Sequence, residues 1–270
     1  MIFVAEHLNL LFLLLLVGAL GGFLSGLLGI GGGAVFTPAL IFVFEALGFN
    51  NGVGIHTAIG TSLVIVSLTI AASALHHNKM GAVDATIFRR QAPFLVAGAV
   101  LGSIFASGAE GATLKKVLAV VLLIIAFRMA FAGKEHTGRK HTVPMPARYA
   151  FSLFVGWLSA VVGGGGGALN VPFMIYAGTP VRQAVATAAA LGPFITVPAA
   201  IGYIIAGFDA AAPVPFSFGY INIAAVLVIL PLSLFLSPIG VKFSHKAPQD
   251  ILAKTFAVVL ALVSVVMIVN

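Results

Sequence analysis

The stretch "VVGGGGGALNVPF", residues 161–173, places five consecutive glycines inside a strongly apolar sequence. Glycine in a helix interior costs about 1 kcal/mol relative to alanine, and a glycine run has no side chains to pack. The stretch therefore predicts that one apolar helix ends here and that another begins a few residues later. Non-helical backbone of this kind is tolerated at membrane depth only where protein buries it or where it lines a cavity.

The composition of the chain is that of a membrane protein. Of its 270 residues, 60% are hydrophobic and only 8% are charged, whereas a soluble domain has about 25% charged residues. Recurring apolar segments predict an all-α polytopic membrane protein whose surroundings are the lipid bilayer. Ten such segments have approximate bounds 8–28, 34–48, 52–76, 91–108, 113–132, 147–162, 168–177, 181–206, 219–238 and 250–269.

The two halves of the chain resemble each other around their glycine runs. "FLSGLLGIGGGAVFTP" (23–38) aligns without gaps on "WLSAVVGGGGGALNVP" (157–172), at an offset of 134 residues. Further matches follow in the same order, pairing Thr61 with Thr187 and Pro93 with Pro231. Three ordered blocks predict an internal duplication, which is common in transporters.

The longest polar stretch divides the ten segments into two groups of five. We therefore predict a first transmembrane repeat over 1–132, a cytoplasmic linker over 133–148 and a second transmembrane repeat over 149–270. Each repeat contains one glycine-rich break between two helices.

The distribution of basic residues predicts that the two repeats are inverted. If each half crosses the membrane an odd number of times, twelve of the fourteen Lys and Arg residues fall on one face, and an even number gives about eight and six. The positive-inside rule favours the first arrangement, with both termini outside. Loop charges also explain the net charge of +7, so we expect no nucleic-acid partner. Charge leaves open whether residues 147–177 make two short crossings or one helical hairpin with its tip in the membrane.

The glycine breaks have two interpretations. Small residues spaced by four, such as Gly18, Gly22 and Gly26, let helices approach closely. Runs of three to five glycines go beyond that need, and a helix that begins at Gly33 or Gly167 exposes free N–H donors and a partial positive charge. Such a helix start binds anions without a buried cation.

We therefore predict an anion site near the membrane midplane, where inverted repeats bring two such helix starts together. The candidate substrate-binding residues are the glycines of both breaks and nearby polar side chains: Gly31, Gly32, Gly33, Thr61, Ser62, Gly165, Gly166, Gly167, Asn170 and Thr187.

Other chemistries find little support in the residues. No H-E-x-x-H motif and no cysteine is present, so we expect neither an enzyme nor a metal site. No Lys-Ser/Thr follows the glycines as in a nucleotide-binding loop, and we expect no cofactor. Glu45 and His56 lie at segment ends, where we expect them to be interfacial. The sequence leaves the oligomeric state open.

The quoted motifs resemble those of the sulfite exporter TauE/SafE family of bacterial and archaeal membrane permeases. The resemblance rests on "SGLLGIGGGAVFTPAL", "HTAIGTSL", "GWLSAVVGGGGGALNVPFM" and "VATAAALG", and it covers nearly the whole chain. It implies a secondary transporter in the cell (inner) membrane for sulfite or organosulfonates. A carrier of another small anion, such as a carboxylate, is the alternative. The second repeat has "ATAAALG" where symmetry would give "GTSL", so the two halves of the site are chemically unequal.

Overall fold

The computed structural model describes residues 2–28, 32–49, 52–79, 82–131, 143–210, 214–244 and 249–269. These ranges form ten α-helices and one short antiparallel hairpin, which confirms the predicted all-α architecture. The elements are α1 (Ile2–Leu28), α2 (Gly33–Ala46), α3 (Val53–Lys79), α4 (Ala85–Gly108), α5 (Gly111–Phe131), α6 (Met145–Val162), α7 (Gly167–Tyr176), α8 (Val181–Gly207), β1 (Ser217–Phe218), β2 (Ile221–Asn222), α9 (Ile223–Ser244) and α10 (Gln249–Val269).

Helices α3, α4, α6, α8 and α9 each contain a stretch that is long and apolar enough to cross a membrane. The buried apolar core is richest on α3 and α8, whereas the outer helices leave large apolar side chains exposed. Leu227 and Phe235 on α9 are 68% and 69% exposed, and Leu262 on α10 is 62% exposed. Such a surface is expected where lipid surrounds the protein. Most of the predicted linker lies outside the described residues.

Two helix starts differ from the apolar segments because side-chain caps fix them. Helix α4 begins six residues before the predicted segment, where the Asp84 carboxylate accepts hydrogen bonds from the N–H groups of Thr86 and Ile87. Helix α9 begins four residues late, where the Asn222 side chain accepts from Ala225 N–H at 2.8 Å. Caps are local hydrogen-bonding features that an apolar run does not mark.

Helices pair across the two halves of the chain. Helix α1 lies along α9, and a Cβ atom added at Gly18 would lie 3.0 Å from the carbonyl oxygen of Ile229. One turn later on each helix, Gly22 packs directly on the backbone of Ser233. The predicted packing role of this glycine stripe is confirmed. Helix α4 packs on α6 in the same way, so in both pairs a helix from one half of the chain packs against a helix from the other half.

Residues 145–176 form a helical hairpin. The rings of Phe151 on α6 and Phe173 on α7 stack with centroids 3.9 Å apart, so α7 runs back along α6. Helix α2 returns along α1 similarly, because Gly21 packs on the ring of Phe36. The tip of the second hairpin, or second tip, is formed by residues 163–166. The described part of the first tip is Gly32 and Gly33.

The position of the second tip can be measured along the long central helices α3 and α8. They run antiparallel, since Gly60 lies near Tyr203 while Gly192 lies near Ile70. Each has 27 residues, or about 40 Å at ~1.5 Å per residue. Gly165 lies against Val66 and Ile70, so the second tip lies half-way along α3. The inverted relation of the halves stays a prediction, and it requires this antiparallel pairing.

Candidate functional site

Each short helix starts at a glycine held in a left-handed conformation. Gly32 precedes α2 with φ 60°, and Gly166 precedes α7 with φ 73°. Residues with a side chain rarely adopt this backbone conformation, because their Cβ atom would crowd the backbone. The predicted helix starts at Gly33 and Gly167 are confirmed.

The first N–H groups of α2 and α7 are free of capping side chains. The Gly32 carbonyl accepts from Val35 and Phe36, and the Gly166 carbonyl accepts from Leu169 and Asn170. The first two residues of each helix precede these donors in the chain, and their N–H groups take no part in these hydrogen bonds. Among the described residues no side chain caps either start. Each helix therefore presents unpaired donors and the positive end of its dipole.

The two tips touch each other. A Cβ atom added at Gly33 would lie 2.5 Å from the Cα of Gly164 and 2.6 Å from the carbonyl oxygen of Gly163. Only glycine permits this approach, because any side chain at residue 33 would push the two breaks apart. The duplicated motifs thus meet in one place, as a site shared by both halves requires.

A cavity of about 50 Å³ lies beside the touching tips. At ~15 Å³ for each enclosed water, it has room for about three waters or one small polyatomic ion. Among the described residues its lining contains no charged side chain, and the one hydroxyl there is that of Ser159. The lining residues are Gly33, Ala34, Val121, Leu122, Ile125, Leu158, Ser159, Val162, Gly164, Gly165, Gly166, Ala168 and Leu169.

The structure brings some of the predicted site residues together at this cavity. Gly33, Gly165 and Gly166 line it. Gly32, the N-cap of α2, and Gly167, the first residue of α7, are next to these glycines in the chain. Gly31 lies outside the described residues.

Ser62 lies behind the second tip and fixes it to the first half. The Ser62 hydroxyl donates to the carbonyl oxygen of Gly163 at 3.1 Å, and the Thr37 hydroxyl donates to Ser62 Oγ at 2.9 Å. Both side chains are fully buried. They connect α2 and α3 to the end of α6, which positions the tip without contacting the cavity.

Thr61 and Thr187 occupy matched places away from the cavity. Thr61 Oγ1 accepts from the N–H of Asn222, just before α9, and Thr187 Oγ1 accepts from the N–H of Asp84, just before α4. Both distances are 2.9 Å. Each threonine therefore holds the start of a helix from the other half. The sequence match reflects an equivalent structural contact.

Asn170 lies one turn into α7 and is 1% exposed. Its side-chain oxygen has no hydrogen-bond partner among the described residues. A buried polar atom without a partner is costly and calls for a reason. Asn170 does not itself line the cavity, although its neighbours Ala168 and Leu169 do.

Ser159 lines the cavity and was not among the predicted site residues. It is 5% exposed and lies in the last turn of α6. The gap-free alignment pairs it with Ser25, and that pairing was the available signal. The small residues around Ser159 are typical of helix–helix packing, so its sequence context offered no reason to prefer a binding role.

The ionisable residues at the segment ends are engaged in contacts. Glu45 forms an ion pair with Lys115 at 2.6 Å. His56 is 6% exposed. Its Nδ1 lies 2.8 Å from Gly52 O, its Nε2 lies 3.0 Å from Ala106 O, and its ring stacks on that of Tyr220. The interfacial depth of both residues stays a prediction. The described residues contain no group of three His, Cys, Asp or Glu side chains that could hold a metal ion.

Two helical hairpins with uncapped tips beside a small cavity, within a bundle of long apolar helices, define a polytopic α-helical membrane protein. The model of the sulfite exporter TauE/SafE family matches residues 14–267, and the chain belongs to that family.

Similar proteins are described as probable membrane transporters. The chain is 31% identical over 254 residues to a probable membrane transporter protein of Haemophilus influenzae, covering 94% of this chain and 96% of the relative. A probable membrane transporter protein of Methanocaldococcus jannaschii is 30% identical over 254 residues, covering 89% of each chain. No solved structure matches the chain. The protein is accordingly a multi-pass membrane protein of a transporter family.

Proposed function

We propose that the protein is a secondary transporter of small sulfur-containing anions, such as sulfite or organosulfonates, in the cell inner membrane. The anion binds in the cavity beside the tips of the two helical hairpins. The observation that carries the proposal is that α2 and α7 both start, without side-chain caps, at this one cavity. The family's description as sulfite exporters supports the choice of substrate.

The chemistry of the lining supports an anion that is bound and then released. No lysine or arginine lines the cavity in the part of the chain that the structure describes, so attraction comes from backbone N–H groups and helix dipoles. Fixed partial charges hold an anion without a buried cation, whose desolvation would be costly. A carrier needs such moderate binding, because the ligand must leave on the other side.

Substrate class is tested by ligand-induced stabilisation of the purified protein in detergent. A ligand at 100 times its Kd stabilises the folded state by about 2.7 kcal/mol. We expect sulfite and methanesulfonate to raise the melting temperature more than acetate does. Stabilisation by acetate alone would favour the alternative, a carboxylate carrier. No response to any small anion would overturn the proposal.

The proposed orientation places both termini outside and residues 133–148 in the cytoplasm. The twelve-to-two distribution of basic residues supports it, by the positive-inside rule. A reporter active only outside the cytoplasm should work when fused after Asn270 and fail when inserted at Gly138. The reverse pattern would contradict both the orientation and the inverted repeats.

Export is the direction that the membrane potential favours. One elementary charge is worth about 2.3 kcal/mol per 100 mV, so a dianion gains about 4.6 kcal/mol on leaving a cell with a negative interior. At ~1.4 kcal/mol for each factor of ten, this sustains about three decades of outward gradient. We therefore propose export that needs no obligatory co-transported ion.

A further inference from the structure

The Ser159 hydroxyl differs from that of a matched serine on the same helix. Ser152 lies two turns earlier on the same face of α6, is fully buried and donates to the carbonyl oxygen of Arg148 at 2.9 Å. Ser159 is 5% exposed, yet within the described part of the chain its hydroxyl contacts no hydrogen-bond partner. A buried hydroxyl usually finds an acceptor. The Ser159 hydroxyl faces the cavity instead.

The backbone around Ser159 fixes the position of its side chain. The Ser159 carbonyl oxygen accepts the N–H groups of Gly163 and Gly164, the latter at 2.8 Å, which ends α6 and turns the chain into the second tip. Its hydroxyl lies 3.2 Å from where a Cβ atom of Gly166 would be. The hydroxyl thus lies directly against the N-cap of α7, beside the free N–H groups of that helix.

The equivalent serine in the first half lacks access to the cavity. Ser25 Oγ lies 3.1 Å from the position of a Cβ atom on Gly32, much as Ser159 Oγ lies 3.2 Å from that on Gly166. Ser25 is absent from the cavity lining. The chain therefore contains two equivalent serines, of which one faces the cavity.

We propose that the Ser159 hydroxyl donates a hydrogen bond to the transported anion and selects an SO3 group over a carboxylate. The inference rests on the proposed anion site. A pyramidal SO3 group presents three oxygens, which can accept from the start of α2, the start of α7 and Ser159 together. A carboxylate presents two oxygens in one plane, so one oxygen must accept from two of these three donors at once. Sharing one oxygen between donors that converge from different elements bends the hydrogen bonds and weakens binding.

The test compares Ser159→Ala with Ser152→Ala and Ser25→Ala in the full-length protein in detergent. Calorimetric titration gives the Kd of each variant for sulfite, methanesulfonate and acetate. A hydrogen bond to a charged ligand is worth roughly a tenfold change in Kd or more. We expect Ser159→Ala to lose at least that for sulfite and methanesulfonate and clearly less for acetate. Ser25→Ala and Ser152→Ala should change each Kd by less than about threefold.

Ser159→Cys adds a second variant, because it keeps a small side chain but offers only a weak S–H donor. We expect its Kd for sulfite to lie between those of the wild type and Ser159→Ala. Wild-type affinity for sulfite in Ser159→Ala would overturn the role of Ser159 while leaving the anion site intact. Failure of the wild type to bind any of the three anions would overturn the proposed function itself.

Discussion

The two glycine-rich tips are copies of one motif, yet they differ at the position one turn into the helix that follows. Phe36 occupies that position in the first half, and its ring fills the space beneath Gly32 and against Gly21. Asn170 occupies it in the second half, where its side-chain oxygen has no partner among the described residues. The first tip contributes one glycine to the cavity and the second contributes three. The same backbone motif thus packs around an aromatic ring in one copy and supplies most of the cavity-lining glycines in the other.

The largest expected effect on transport comes from adding a side chain at the second tip. Gly166→Val places a branched side chain at φ 73°, with its Cβ atom 2.6 Å from Ile195 Cδ1. Left-handed strain and overpacking together should cost about 3 kcal/mol, and we expect transport in proteoliposomes to be abolished.

Gly48→Val is the matched control, because Gly48 has φ 86° and no atom within 4 Å of the added Cβ. It carries the strain without the crowding, so transport should persist. Equal loss of transport in both variants would show that backbone strain alone, rather than the tip, is responsible.

The packing role of the first tip is tested by Phe36→Ala. Phe36 is fully buried, and removing such a ring costs about 3–5 kcal/mol of folding free energy. Chemical unfolding in detergent, compared with Asn170→Ala, measures the difference between the two equivalent positions. Similar losses at both positions would mean that the tips play the same structural role.

The smallest expected effect is that of Asn170→Ala. The buried side-chain oxygen has no partner to lose, so the free energy of unfolding should change by less than about 1 kcal/mol. Asn170 lies behind the cavity-lining residues Ala168 and Leu169, so the sulfite Kd should rise only about two- to fivefold. An unchanged Kd would exclude Asn170 from the site.

Most of the fold was predictable because hydrophobic runs mark helices in lipid. Each predicted apolar segment corresponds to a helix, and the glycine runs mark the hairpin tips. The β1–β2 hairpin and the early start of α4 escaped prediction, since Asn222 and Asp84 act through local caps rather than through apolarity.

The sequence predicted the backbone of the candidate site better than its side chains. The glycine runs predicted where α2 and α7 begin, because glycine interrupts a helix. Thr61 and Thr187 were matched correctly in the sequence, but only the fold shows that they hold the starts of α9 and α4. Ser159 could not be distinguished from Ser25 in the sequence, because only the fold places one of them in the cavity lining.

Sulfite efflux from proteoliposomes with an imposed inside-negative potential, and with pH and sodium equal on both sides, tests most directly whether the cavity carries the anion. Gly164 lines the cavity, and a Cβ atom there meets nothing within 4 Å, so Gly164→Leu should fold while filling the space. The proposal predicts potential-dependent efflux for the wild type and none for Gly164→Leu of equal thermal stability. Efflux through Gly164→Leu at the wild-type rate would contradict it, as would wild-type efflux that requires a proton gradient.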